Sequence, residues 1–173
     1  MSETIYTNPE LDRTEWGPGP WDGEPDKISW TDEATDLPCI MVRNDMGSWC
    51  GYVAVEPGHP AHGKFYGHVD VDVHGGLTFG DSCNETGPIE HSVCHIPEPG
   101  KPGDVWWLGF DCGHAWDIQP AMDAELGQII GSIPTHEQFP GVGPSTTYKN
   151  AKFVRRECAQ LAAQLIKLGG AGP

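Results

Sequence analysis

The stretch VDVDVHGGLTFGD, residues 69–81, interleaves Val69, Val71 and Val73 with Asp70, Asp72 and His74. In an extended chain successive side chains point to opposite sides, so the valines share one face and the two acids and the imidazole share the other. Carboxylates and imidazoles hold metal ions and move protons. A second such stretch, FDCGHAWD at residues 110–117, presents Asp111, His114 and Asp117 at intervals of three. Residues three apart converge on one side of a helical turn. The pattern predicts that His74, Asp111 and His114 hold a divalent ion, zinc first among zinc, manganese and iron, with a position left for water. Asp72 or Asp117 then serves as general base for that water, with Asp70 nearer the rim. The bland alternative is a solvated strand edge, with Asp111 capping a turn and His114 in a structural hydrogen bond. No His-Glu-x-x-His stretch accompanies these residues.

Other chemistry-bearing residues lie nearby. Cys83, His91, Cys94 and His95 are zinc-binding types, although their spacing matches no finger and packing in a loop accounts for them as well. Cys112, beside Asp111 and near His114, could be a nucleophile with an imidazole base, or simply a buried thiol. GHPAHGK brings His59, His62 and Lys64 into one loop, where Lys64 could meet an anionic substrate or be solvated. Trp106 and Trp107 read as packing residues.

The elements that must position these groups read as an α+β fold. Strand signals occur at residues 27–30, 38–43, 49–55, 69–74 and 105–110, the second and third joined by a hairpin turn at NDMGS. The segment VWWLGF is apolar on both faces and reads as a central strand. A terminal helix is expected from an N-cap at Thr147 to a stop at Gly169, with Phe153, Val154, Cys158, Leu161, Leu165 and Leu168 forming its apolar stripe. PAMDAELGQII suggests a shorter helix that Gly127 weakens. The expectation is one domain over residues 1–173: a mainly antiparallel sheet with long Gly/Pro-rich loops, a C-terminal helix packed on it, and an extended arm at residues 1–26.

Composition narrows the function. The chain has 173 residues, 38% of them hydrophobic, and carries 23 Gly and 16 Pro without a period. Its net charge of -15 and pI near 4.6 disfavour binding to a nucleic-acid backbone. The first residues lack a basic start and an apolar run, and no later stretch reaches the ~20 apolar residues of a membrane helix, so a cytoplasmic protein with no membrane partner is expected. Its six cysteines should then stay reduced; if the chain is secreted, Cys83 and Cys94 are the natural pair.

At YVAVEPGHP, VDVHGGLTF, VCHIPEPGKPGDVWWLGFDCGHAWD and VRRECAQLAAQL, spanning roughly residues 50 to 168, the chain resembles a family of uncharacterised proteins of bacteriophages and their bacterial hosts. VHGGLT and GFDC.H..D are the parts of that pattern containing His74, Asp111, His114 and Asp117. The resemblance implies a phage context, hence the cytoplasm of a bacterial host, but no activity, fold or ligand. Two functions follow as expectations. One is a small metal-dependent hydrolase acting on an ester, amide or phosphoester. The other is a non-catalytic, phage-associated protein that captures a small ligand or inhibits a host protein; a DNA mimic would want a longer one-sided acidic run.

Overall fold

The computed structural model describes residues 3–83, 87–130 and 147–170, the side chains of 126–130 excepted. Its centre is a six-stranded antiparallel sheet formed by β1 (Thr4–Tyr6), β2 (Lys27–Thr31), β3 (Pro38–Arg43), β4 (Trp49–Val55), β5 (Phe79–Ser82) and β6 (Trp106–Asp111). The spatial order is β1-β2-β3-β4-β6-β5. Two helices follow, α1 (Pro120–Ile130) and α2 (Ala151–Leu168). The α+β expectation holds.

β3, β4 and β6 are apolar on both faces because both faces are covered. Met41, Val53, Leu108 and Phe110 meet Val154, Cys158, Leu161 and Leu165 of α2. Ile40, Ala54 and Trp107 point the other way, under the loop that links β5 to β6. The expected helical stripe is largely correct, except that Ala162 joins it while Leu168 lies exposed beyond the sheet. The N-cap of α2 is Asn150, whose Oδ1 accepts the Phe153 N–H at 2.9 Å. Thr147, expected in that role, instead bridges in parallel to Asp117.

The covering loop is anchored through a buried lysine. Lys27 has no exposed surface, and its ammonium donates to the carbonyls of Ile89, Ser92 and Cys94 at 2.5, 2.8 and 2.8 Å. Burial lowers its pKa to about 8, against the opposing charge of Glu90. Cys83 and Cys94 are joined in a disulfide within this loop, so these two cysteines do not remain thiols; Cys39, Cys50, Cys112 and Cys158 are free and buried. The bond also removes the thiolates that a four-ligand zinc site would use. Its companion His95 packs edge-on against Trp107, and His91 lies 3.3 Å from Glu10.

Residues 69–74, expected as a strand, belong to no sheet; the Val71 N–H donates to the Val69 carbonyl at 3.1 Å, and His74 stands in a turn. Their valines do face the core, with Val73 buried. Their backbone groups pair with side chains of α2 instead of with a neighbouring strand: Gln164 accepts the Asp72 N–H at 2.7 Å and donates to the Asp72 carbonyl at 2.8 Å. The amide of Gln164 thus does what a peptide group of an adjacent strand would do. The His59 and His62 loop is equally structural. His59 Nδ1 accepts the Ala61 N–H at 3.0 Å and Nε2 donates to the Leu165 carbonyl at 2.7 Å, bracing the end of α2. His62 Nε2 meets the Asp104 carbonyl at 2.8 Å. No helix among the described residues is long and apolar enough to cross a membrane.

The amino-terminal arm is tied down. It contributes β1, buries Trp16, and delivers Glu24 to the start of α2. Glu24 Oε1 accepts the Ala151 N–H at 2.8 Å; Oε2 accepts from Tyr148 Oη at 2.6 Å, Arg43 Nη2 at 2.9 Å and Trp49 Nε1 at 3.2 Å. Burial pushes Glu24 up, but these hydrogen bonds and the Arg43 charge together hold it below its ordinary 4.5. A depressed carboxylate contributes stability that is present above its unfolded pKa and lost as pH falls through the native value. Glu24→Gln should therefore cost about 2 kcal/mol in urea unfolding at neutral pH, and the gap from wild type should shrink at about pH 3. A gap that is the same at both pH values would contradict this account.

Candidate metal centre

His74 ends the valine-bearing segment at a turn closed by a hydrogen bond from the Gly76 N–H to the Val73 carbonyl at 2.9 Å. Its own N–H donates to Glu157 Oε2 of α2 at 3.0 Å, which locks the backbone that carries the imidazole. The glycine after it is required twice over. Gly75 has a φ of 69°, and a Cβ there would stand 2.1 Å from the His114 ring.

His114 and Asp117 come from the turn that follows β6. The Asp117 N–H donates to the His114 carbonyl at 2.9 Å, while the bridge to Thr147 fixes the backbone beside it. Asp117 is the centre of the cluster. Its side chain has no exposed surface, and its oxygens lie 2.9 and 3.0 Å from His74 Nε2. Oδ2 also lies 2.9 Å from His114 Nδ1 and accepts the His114 N–H at 3.1 Å, and Oδ1 lies 3.4 Å from the Lys149 ammonium. Burial pushes the Asp117 carboxyl up, but hydrogen bonds from both imidazoles and from the His114 N–H, with the His74 charge, hold it below the usual carboxylate range.

One ligand atom from each of His74, His114 and Asp117 lies within 4.8 Å of the others, so this cluster could hold a metal ion. Ligands bound at 2.0–2.2 Å around a tetrahedral ion stand about 3.4 Å apart, a spacing between the observed contacts and that upper limit. The surroundings restrict both rings. The His74 ring meets the Phe153 ring edge-on at 5.3 Å, and the His114 ring stacks on Trp116 at 5.0 Å with 6° between planes.

Of the residues expected at the site, His74, His114 and Asp117 are brought together, and Asp117 stands among the ligand atoms rather than behind them. Asp111 does not join them. The alternation that sends Leu108 and Phe110 toward α2 sends Trp107 and Asp111 to the other face, where the Asp111 carboxylate accepts from Thr78 Oγ1 at 3.1 Å and from the Gly113 N–H at 2.9 Å. Asp72 is exposed and engages α2 through its backbone, which removes the reason to make it a base; Asp70 is exposed too. Cys112 is 2% exposed, and burial, followed by the charge of Asp117, drives its thiol far above the range in which a thiolate forms. A nucleophilic role does not fit it. Lys149 is a participant that the local sequence does not announce, because its contact with Asp117 depends on the Asp117–Thr147 bridge.

Comparison with protein-family models, with curated proteins and with solved structures finds no match to this chain.

Gly75→Ala should displace the His114 ring and weaken the hold of the cluster on a divalent ion by roughly tenfold or more, the scale on which groups supporting a ligand act. Titration of both proteins with zinc, with circular dichroism as a check on folding, measures this. Unchanged affinity would show that the contact between Gly75 and His114 does not shape the cluster.

Proposed function

We propose that the chain is a divalent-metal-dependent hydrolase of an ester, amide or phosphoester, with zinc held by His74, His114 and Asp117. The observation that carries this reading is the convergence of two imidazoles and one buried carboxylate from segments 43 residues apart. Three protein ligands leave a position for water, and zinc makes such water nucleophilic near neutral pH. Asp117 can offer one oxygen to the ion and keep the other, on its Lys149 side, as a hydrogen-bond acceptor. This retains part of the base role expected of it. The indole of Trp116, 41% exposed and stacked on His114, gives the site an apolar wall.

A second reading is favoured by one observation. The Lys149 ammonium, 3.4 Å from Asp117, already offsets the buried charge without an ion. On that reading the cluster is a braced hydrogen-bond hub in a non-catalytic protein that captures a small ligand or a host protein, in keeping with the phage-linked family resemblance.

Titration with zinc separates the two. The hydrolase reading expects one zinc per chain, lost in a folded His114→Ala variant. Leu161, fully buried on the sheet-facing side of α2, serves as the converse: Leu161→Ala should cost ~2 to 5 kcal/mol of stability while the folded protein still takes up zinc. Absence of zinc binding by wild type, or full binding by His114→Ala, would favour the hub.

A further inference from the structure

The groove beside the cluster has a charge opposite to that of the chain as a whole. Against a net charge of -15, four of the ten Lys and Arg residues fall within eight positions: Lys149, Lys152, Arg155 and Arg156. Arg155 turns away, pairing with Glu3 and lying over Trp30. The other three line an open groove of about 440 Å³ together with Asn150 and Phe153. Lys152 and Arg156 are exposed, one helical turn apart, and among the described residues neither forms an ion pair.

The groove and the cluster share walls. Lys149 lines the groove and its ammonium lies 3.4 Å from Asp117. Phe153 lines it as well, with its ring against that of His74 and with Lys149 and Arg156 over it at 5.6 and 5.3 Å. A molecule seated among the three cations therefore touches Lys149 and Phe153, the two residues that in turn contact Asp117 and His74.

We infer that this groove receives the phosphoryl group of a phosphomonoester, an inference that rests on the hydrolase reading and selects one substrate class from it. Three cations exceed what a carboxylate requires and match a phosphate dianion, for which Arg156 supplies a planar fork and the two lysines supply compact charges. The first turn of α2 opens at the same place and adds the partial positive charge of a helix start. An uncharged ester or amide would leave Lys152 and Arg156 without an ionic partner. In the reaction, a water oxygen forms a bond to phosphorus as the bond from phosphorus to the leaving oxygen breaks. One proton of that water ends on the leaving alkoxide, giving an alcohol and inorganic phosphate.

Inorganic phosphate titrated calorimetrically into the full chain at low ionic strength tests the groove. Wild type should bind it, K152A/R156A should bind it roughly tenfold or more weakly, and R156K should fall between the two, keeping the charge and losing the fork. Zinc affinity, measured on the same samples, should be alike in all three. Failure of wild type to bind phosphate, or equal binding by the double variant, overturns the inference. Phosphate binding that depends on Lys152 and Arg156 in a protein that takes no zinc upholds the groove and removes the metal reading. With zinc present, hydrolysis of p-nitrophenyl phosphate with a raised KM in the double variant supports the substrate class; hydrolysis of p-nitrophenyl acetate alone contradicts it.

Discussion

A carboxylate with no exposed surface must be matched by donors, and Asp117 is matched on every side. His74 arrives from the segment before β5, His114 from its own turn, and Lys149 from the lead into α2. An unpartnered buried charge would cost several kcal/mol, so these three segments are held in one arrangement by the need to satisfy one side chain. The same arrangement leaves three ligand atoms facing one another, and the chemical proposal follows from that.

Helix α2 transmits the constraint to the rest of the fold. Its buried face lies on β3 and β4, Gln164 and Glu157 hold the backbone of Asp72 and His74, and Lys149 precedes its first turn. Glu24 in turn ties that first turn to Arg43 and Trp49 of the sheet. The arm, expected from sequence only as an extended segment at residues 1–26, is therefore part of what places Lys149 and the cationic groove.

The central strands were legible from sequence because continuous apolar runs such as PCIMVR and VWWLGF have few other places to go. The apolar stripe of α2 was legible for a similar reason. Residues 69–74 mislead because their alternation reports a buried face and says nothing about what pairs with the backbone; here Gln164 and Glu157 take the place of a strand. At the site, His74, His114 and Asp117 were visible as chemistry-bearing types, but placing Asp117 rather than Asp111 among the ligand atoms needed the strand register, which the spacing of three does not contain. Lys149 meets Asp117 across 32 residues and Glu24 meets Tyr148 across 124, beyond any local pattern.

The central claim is that one metal ion sits among His74 Nε2, His114 Nδ1 and an Asp117 oxygen. Anomalous diffraction at the zinc edge from crystals of the zinc-loaded protein tests it most directly. The account predicts a single strong peak about 2.0 to 2.2 Å from all three atoms. A peak elsewhere, or none while the imidazoles keep their direct hydrogen bonds to Asp117, would contradict it.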